Sequence, residues 1–269
     1  MRELERDFPT PSSVREPPLA SLAIVGDGRV GGALARAAAT AGLAVRVGGR
    51  DDAVEAARAA EVTLLCVPDG EIATVAGRIA EAVPPLRSVG HTSGATPLSA
   101  LDACSARGAS AFSVHPLQTV PDAHTDLMGA PCAVSGSDDA ALALAHGLGE
   151  RLGMHPFAIA EEDRAAYHAA ASIASNFLVT LEQSASDLLG RTGVAEPREL
   201  LAPLVLRTAA NWAERGGEAL TGPIARGDEA TTARHREALE RLAPELLGLY
   251  EALAERTVGL ARANAEAGR

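Results

Sequence analysis

The 269 residues are enough for one large or two modest domains, and a formal net charge of −11 argues against a nucleic-acid partner. Hydrophobic residues make up 47% of the chain but aromatic residues only 3%, which predicts helices that pack closely on small side chains. Lysine is absent and all 24 basic residues are arginine, so Schiff-base chemistry and any lysine acid or base are excluded.

The chain begins with a stretch that shows no hydrophobic periodicity. Residues 1–18 mix charges with several prolines, which predicts a mobile tail. The apolar run at residues 22–25 then predicts a buried parallel strand. An Ala-rich helical pattern follows and ends at Gly42.

Three glycines separate this strand from this helix, and Gly26, Gly28 and Gly31 have the spacing G-x-G-x-x-G. Between a strand and a helix, the first glycine permits a tight turn and the second lets the backbone approach a pyrophosphate. The third lets the helix pack against the strand. Free amides and the helix dipole also favour phosphate at the start of a helix. We therefore predict a dinucleotide site, with a purely structural glycine-rich turn as the alternative.

The second predicted strand, residues 44–47, is followed by Arg50 rather than by an acidic residue at its end. Dinucleotide units that take NAD carry an acid there for the ribose, whereas an arginine can fork onto a 2′-phosphate. The next acids, Asp51 and Asp52, are placed where they could begin a helix. Arg50 therefore favours NADP. Arg29, inside the glycine turn, is either a second phosphate contact or a solvated side chain.

Further apolar runs alternate with helical patterns as far as residue 159. The predicted strands are residues 62–67, 87–90, 110–114, 132–135 and 156–159. Such alternation is typical of an α/β protein with a doubly wound parallel sheet, which binds ligands beyond the carboxyl ends of its strands. We predict one dinucleotide-binding domain over residues 19–159.

Polar side chains stand where two of these strands end. His91, Thr92 and Ser93 follow one strand and His115 ends another, so we expect them at the ligand-binding edge. The alternatives are a loop histidine bonded to backbone for His115 and a turn-forming hydroxyl for Ser93. No G-x-S-x-G pattern surrounds Ser93, so a hydrolase nucleophile is not predicted.

Residues 160–269 predict only helices, and therefore a second, all-α domain. On the first of these helices, predicted over residues 161–189, His168, Ser172 and Asn176 are four residues apart and share one stripe. Polar side chains buried without partners are costly, so the stripe faces either solvent or a ligand cleft. We favour the cleft because apolar residues occupy the adjacent faces. Two further helices are predicted over residues 197–215 and 229–261, the latter with a break near Pro244.

The loop over residues 220–228 joins two helices and contains two glycines, a proline and the polar residues Thr221, Arg226 and Asp228. Loops held by rigid helices often carry functional residues, and Arg226 could fork onto a substrate carboxylate. The alternatives are an Arg226–Asp228 surface pair and an Asp228 helix cap.

Cys66, Cys104 and Cys132 show no paired spacing, and the histidines show no ligand spacing, so neither a disulfide nor a metal site is predicted. No signal-peptide pattern and no membrane-length apolar run is present, which predicts a cytoplasmic protein that does not bind membranes.

Five segments in this order resemble one family, namely GDGRVGGALA, HTSGA, SVHPLQ, EEDRAAYHAAASIASN and LTGPIARGD. It is the family of Rossmann-like proteins with a C-terminal DUF2520 domain, close to 6-phosphogluconate dehydrogenase-like and ketopantoate reductase-like enzymes. The resemblance spans residues 19 to about 257. It implies a Rossmann sheet followed by an all-α domain of the 6-phosphogluconate dehydrogenase C-terminal type, use of NADPH, and a homodimer formed through the helical domain.

In the wider superfamily a K-x-x-x-N pair on the first long helix orients the carbonyl and supplies a proton. In this sequence Asn176 occupies the asparagine position, but Ser172 occupies the lysine position. We therefore predict that His168, one turn earlier, donates the proton, because an imidazole ordinarily titrates close to neutral pH.

The sequence thus predicts an NADPH-dependent reductase of a small carbonyl or imine substrate, such as the 2-keto acid ketopantoate. A non-catalytic NADP-binding sensor is the alternative. The predicted catalytic residues are His168, Asn176 and Ser172. The predicted substrate-binding residues are Ser93, His115, Thr221, Arg226 and Asp228. The predicted cofactor-binding residues are Gly26, Gly28, Arg29, Val30, Gly31, Arg50, Val67, Pro68 and Thr92.

Overall fold

A computed structural model of the chain describes residues 21–84 and 86–267. The predicted tail lies outside this range. The fold divides into two units, of which the first ends at Ser172 and the second begins at Ile173. The sequence prediction divided the chain at residue 160, so the first turns of its helical domain belong to the first unit.

The first unit is built on one seven-stranded sheet. Its strands are β1 (Ser21–Val25), β2 (Ala44–Gly48), β3 (Val62–Leu65), β4 (Ser88–His91), β5 (Ser110–Pro116), β6 (Pro131–Gly136) and β7 (His155–Ala158). They lie in the order β2-β1-β3-β4-β5-β6-β7. Strand β1 thus lies between β2 and β3, beside the point where the order of the strands reverses, and doubly wound sheets bind their ligands at such a point.

The directions of two strands, β6 and β7, differ from the prediction of a fully parallel sheet. Strand β6 pairs antiparallel with β5, with Val114 opposite Val134, whereas β7 is parallel to β6. A parallel neighbour needs a crossover that returns the chain to its starting edge, usually through a helix. Residues 117–130 instead form turns and extended loop, so the chain reverses and β6 runs back along β5.

Helices cover both faces of the sheet. They are α1 (Arg29–Thr40), α2 (Ala53–Arg58), α3 (Ile72–Ala82), α4 (Asp102–Ser105), α5 (Asp139–Arg151) and α6 (Arg164–Ala174). On one face α1 and α5 pack on a core that includes Ile24 and Phe112. On the other face α2, α3 and α4 pack on Val25, Leu65 and Val89. The near-continuous apolar strands are therefore buried on both sides, as a doubly wound sheet requires.

The second unit contains the helices α7 (Asn176–Gly190), α8 (Pro197–Arg215), α9 (Glu229–Leu242) and α10 (Leu247–Ala267). The single helix predicted over residues 161–189 was wrong, because the backbone leaves helical geometry at Ser175 (φ −122°, ψ −71°) and α7 begins afresh. Pro197 starts α8, and Pro244 starts a short 3-10 turn between α9 and α10, as predicted. Among the described residues, no helix has the length and apolar character needed to cross a membrane.

Candidate active site

The glycine turn after β1 is shaped by two close approaches of backbone to backbone. Gly26 has φ +113°, and a Cβ atom built on it would lie 2.4 Å from the Cys66 carbonyl oxygen. A Cβ atom on Gly31 would lie 1.8 Å from the Gly26 carbonyl oxygen. Neither position can carry a side chain. Both glycines therefore allow the close packing for which the motif needs its first and third glycines.

Gly28 differs, because its Cβ position has no described atom within 4 Å. Its backbone is extended (φ −70°, ψ −166°), and it is the residue that precedes α1. Arg29 beside it is exposed, and the described first turn of α1 has no acidic residue. The start of α1 is therefore open at Gly28, where a pyrophosphate could approach the first amides of the helix, whereas packing alone does not require a glycine at this position.

A cleft of about 480 Å³ adjoins this turn at the ends of β1, β2 and β3. Its lining includes the predicted residues Arg50, Val67 and Pro68, together with Arg78, which the sequence analysis did not single out. The Arg50 side chain is exposed, and a terminal nitrogen of Arg78 donates to the Arg50 carbonyl oxygen (3.3 Å). Two arginines thus line the cleft beside the glycine turn.

Acidic groups also approach the end of β2, which the sequence analysis had described as lacking an acid. The Asp52 carboxylate accepts a hydrogen bond from the Gly49 amide (2.7 Å) instead of capping α2. A Cβ atom on Gly49 would lie 3.5 Å from an Asp27 carboxylate oxygen and 3.6 Å from one of Asp52. Asp27 belongs to the glycine turn and Asp52 to the start of α2. The residues that end β2 could therefore not by themselves predict these two carboxylates.

A second cluster forms where β5 ends and α6 passes. Nδ1 of His115 lies 2.6 Å from the Tyr167 hydroxyl, and the rings of His115 and His168 have centroids 6.0 Å apart. Phe157 on β7 packs edge-on against Tyr167. The structure therefore brings together two predicted residues, His115 and His168, and adds Tyr167, which contacts His115.

Gly94 is enclosed by the same two imidazoles. A Cβ atom built on it would lie 2.8 Å from Cε1 of His115 and 2.8 Å from Cδ2 of His168. The backbone of the loop after β4 therefore fills the space between the rings, and only glycine fits there. Gly94 belongs to the segment HTSGA, and no role was predicted for it from the sequence.

Burial controls the protonation of this cluster. Burial, followed by the charges of His168 and Arg164, lowers the pKa of His115 from 6.5 to about 4. Burial likewise raises the pKa of Tyr167 to about 12. At neutral pH His115 is therefore uncharged and Tyr167 keeps its proton, so the pair is joined by a neutral hydrogen bond.

Two predicted residues after β4 form hydrogen bonds with backbone groups. The Ser93 hydroxyl accepts hydrogen bonds from the amides of Ala95 (3.2 Å) and Thr96 (2.9 Å). This is the turn-forming alternative. The Thr92 amide donates to the Leu65 carbonyl (3.1 Å) and extends the sheet ladder, with its side chain half-buried.

The predicted polar stripe on the first long helix is shorter than expected. Ser172 follows His168 by one turn on α6 and is half-buried, but the break at Ser175 makes Asn176 the first residue of α7. The helical spacing therefore does not extend from Ser172 to Asn176.

In the second unit the loop residues have separate environments. The Asp228 carboxylate accepts from the Thr231 amide (3.0 Å) and caps α9, which is the capping alternative. The side chains of Thr221 and Arg226 are exposed. Among the described residues, no group of three histidine, cysteine or acidic side chains could hold a metal ion.

Comparison with known families agrees with the order of the two parts. A model described as a Rossmann-like domain matches residues 46–116, and one described as a domain of unknown function (DUF2520) matches residues 130–257. None of the curated proteins searched matches the sequence.

Several solved structures have the same fold. A protein from Thermotoga maritima is 24% identical with a TM-score of 0.74, and the match covers 91% of this chain and 99% of that one. A protein from Bacteroides fragilis assigned as an NADP oxidoreductase is 21% identical with a TM-score of 0.73, and the match covers 89% and 98%. A reductive aminase from Aspergillus terreus, in complex with NADPH and ethyl-5-oxohexanoate, is 18% identical with a TM-score of 0.64, and the match covers 89% and 94%. At these identities the likeness establishes the fold.

Proposed function

Because this chain belongs to the Rossmann-like proteins with a C-terminal DUF2520 domain, we propose that it is an NADPH-dependent reductase of a small carbonyl or imine compound. The proposal depends on one observation, which is that two parts of the candidate site lie at the same edge of the sheet. The open start of α1 and the His115–Tyr167–His168 cluster both lie at the carboxyl ends of parallel strands of one sheet. Doubly wound sheets bind their ligands at this edge.

The residues of the glycine turn fit the cofactor. The amides after Gly28 would hold the pyrophosphate, and Arg50, with Arg78 beside it, would hold the 2′-phosphate. NADPH, when bound, supplies the hydride. The structural neighbours from Aspergillus terreus and Bacteroides fragilis carry NADPH or are assigned to NADP, which supports the same choice for this chain.

The protein's own chemistry in this proposal is the delivery of one proton. His168 donates it to the oxygen or nitrogen that becomes an alcohol or an amine. His115, uncharged and hydrogen-bonded to Tyr167, packs against the ring of His168 and fixes its position. No lysine exists to take this role, so an imidazole acid fits the composition of the chain.

The substrate class is proposed more finely from the resemblance. The exposed guanidinium of Arg226 suits the carboxylate of a 2-keto acid such as ketopantoate, and Ser172, Asn176 and Thr221 stay predictions as polar substrate contacts. Imine substrates are supported equally by the neighbouring folds, which include a reductive aminase and a pyrroline carboxylate reductase from Plasmodium falciparum. A substrate panel must therefore contain both 2-keto acids and cyclic imines.

The test compares two glycine variants. Gly28→Ala adds a methyl group where no described atom lies within 4 Å, so we expect normal stability but NADPH affinity at least about 10-fold weaker. Gly77→Ala on α3 has the same open surroundings and is the matched control. Calorimetry measures NADPH affinity, and loss of NADPH absorbance measures turnover over the panel.

The outcomes separate the candidates. Tight NADPH binding with turnover of one panel member supports the reductase. Tight binding with no turnover of any compound supports the non-catalytic sensor instead. If NADPH does not bind, or if Gly28→Ala binds it as well as the wild type does, the dinucleotide site is wrong.

We further propose that the second unit forms a homodimer. Its buried residues, within the described range 173–267, are Ser186, Leu239, Ala243 and Ala254. Large apolar side chains on its helices are exposed instead, including Leu204 (63%) and Trp212 (65%) on α8 and Phe177 (61%) on α7. An apolar surface of this kind marks an interface, and a second copy of the chain presents the same surface in return.

A further inference from the structure

A buried arginine precedes the Tyr167–His168 pair by one helical turn. Arg164 is the first residue of α6, and its side chain is only 3% exposed. Charged side chains are rarely buried unless they are paired, so an arginine in this place calls for an explanation. It belongs to neither the cofactor set nor the substrate set discussed above.

The guanidinium of Arg164 joins three parts of the first unit. One terminal nitrogen donates to the Ser93 carbonyl oxygen (3.3 Å), and the other donates to the Ser113 hydroxyl (2.8 Å). The same group is paired with the Glu161 carboxylate (2.9–3.2 Å). Glu161 also accepts from the Leu98 amide (2.8 Å), so the pair ties the start of α6 to the segment after β4.

These contacts set the register of α6 against β5. Arg164 meets Ser113, and Tyr167, three residues later, meets His115, two residues further along the strand. From Arg164 to Tyr167 the helix advances about 4.5 Å, and from Ser113 to His115 the strand advances about 6.7 Å. Both contacts can therefore form together in only one position of α6 along β5. A shift of α6 by one residue would break the first contact and misplace the second.

Charge adds a second effect. His115 is faced by Tyr167 and His168 from α6, by Arg164 at the start of α6, and by Asp69 from the turn after β3. Burial contributes most to the lowered pKa of His115, and charge interactions with His168 and Arg164 lower it further while Asp69 opposes them. Burial alone would raise the pKa of Glu161, but hydrogen bonds from Arg164 and the Leu98 amide bring it below its ordinary value. Glu161 is thus a stable counterion.

We propose that Arg164, with Glu161 as its counterion, is a positioning residue. It holds α6 against the sheet so that Tyr167 and His168 contact His115, and its positive charge disfavours protonation of His115. The proposal rests on the proposed reductase only in assuming that this cluster serves a substrate.

The experiment separates charge from geometry with three variants. Arg164→Lys keeps the cation but loses the planar fork, Arg164→Gln loses both, and Arg58→Gln, an exposed arginine on α2, is the control. Ring-proton NMR follows the titration of His115, assigned by its loss in His115→Asn. Calorimetry gives NADPH affinity, and steady-state assays give kcat and KM on the panel.

We expect both Arg164 variants to lower kcat by about 10- to 100-fold, because misplaced reacting groups lose rate steeply. NADPH affinity should stay within about 2-fold of the wild type, since the hydrogen bonds of the Arg164 guanidinium go to Ser93, Ser113 and Glu161. The pKa of His115 should rise in Arg164→Gln and stay low in Arg164→Lys. Arg58→Gln should match the wild type in every measurement.

Two outcomes overturn the proposal. One is an Arg164→Gln protein whose His115 titration and kcat match those of the wild type. The other is an Arg164→Gln protein that loses NADPH affinity and kcat together in proportion to lost cooperative unfolding, which indicates a merely structural role. If no panel compound is reduced, the proposed function fails, while the His115 titration in folded Arg164→Lys and Arg164→Gln still decides the present inference.

Discussion

The Tyr167 hydroxyl lies 2.6 Å from Nδ1 of His115, although the two residues are 52 positions apart in the sequence. The contact joins the end of a parallel strand to a helix that follows the sheet. Through this contact His115, which the sequence placed at a ligand-binding edge, becomes one member of an uncharged pair. The chemistry proposed for the protein depends on how that pair supports His168.

Removal of the Tyr167 hydroxyl tests this pair. Tyr167→Phe keeps the ring that packs on Phe157, and we expect kcat to fall by about 10- to 100-fold with NADPH affinity unchanged. The matched control is Tyr250→Phe, which removes a hydroxyl 3.0 Å from Nδ1 of His235 in an exposed tyrosine–histidine pair of the second unit. Equal kcat values for the two variants would contradict the role given to Tyr167.

A methyl group on Gly94 tests the packing of the two imidazoles. In Gly94→Ala the new Cβ atom would lie 2.8 Å from both His115 and His168, so both rings must move. We expect kcat to fall by about 100-fold while NADPH still binds. Gly147→Ala on α5, whose Cβ position has no described atom within 4 Å, should retain wild-type activity. Calorimetry and steady-state kinetics measure the two effects, and wild-type turnover by Gly94→Ala would remove the cluster from the site.

The choice between the two dinucleotides is tested at Arg50. Loss of its charge-assisted hydrogen bonds in Arg50→Ala should weaken NADPH binding by about 10- to 100-fold. NADH binding should change by less than about 2-fold, because the carboxylates of Asp27 and Asp52 remain beside Gly49 for the ribose. Arg46→Ala, an exposed arginine on the same strand, is the control. An equal loss of affinity for both dinucleotides would show that Arg50 does not read the 2′-phosphate.

His91 predicts how stability changes with pH. Burial, followed by the charge of Arg164, lowers its pKa in the folded protein from 6.5 to about 4. Between these values the unfolded chain binds a proton that the folded chain does not, so the free energy of unfolding falls as pH decreases from 6.5 to 4. Above pH 6.5 this contribution is fully present. The loss from His91 is roughly 3 kcal/mol, at 1.36 kcal/mol for each pH unit.

Urea unfolding across that pH range measures the slope. His91→Gln cannot titrate and should unfold with a shallower pH dependence than the wild type. His155→Gln, an exposed histidine on β7, should keep the wild-type slope. A His91→Gln protein with the wild-type slope would assign the pH dependence to other groups.

The homodimer is tested with charge on α8. Leu204→Glu places a carboxylate on the exposed apolar surface of the second unit, and we expect the dimer to dissociate to monomers. Light scattering after size-exclusion chromatography measures the mass. Met128→Glu changes an apolar residue of the first unit that is 69% exposed and should leave the mass unchanged. A wild-type monomer at micromolar concentration, or a Leu204→Glu dimer, would contradict the proposal.

Local patterns in the sequence predicted every strand and most helices. Glycine spacing and apolar runs placed β1, α1 and β3 correctly because these features depend on neighbouring residues. The direction of β6 was missed because it depends on residues 117–130, whose loop has no local signal for reversal. The break at Ser175 was missed because the helical pattern on both sides continues through it.

The candidate site was predictable only in part. Strand ends pointed to His115, and helical spacing pointed to His168, but their meeting at Gly94 is a tertiary contact. Arg164 had a weak signal, since it precedes His168 by four residues on the same helical stripe. Its hydrogen bond to the Ser93 carbonyl spans 71 residues, which no local pattern encodes.

The reversal of β6 also decides where α6 goes. A helix that follows a strand usually travels back in the opposite direction, and β7, parallel to β6, runs against β5. Helix α6 accordingly travels with β5, from Ser113 at Arg164 to His115 at Tyr167, and so arrives at the ligand-binding edge. In an all-parallel sheet the same helix would start at that edge and depart from it. The reversed pair β6 and β7 therefore directs α6 so that its side chains reach the ligand-binding edge.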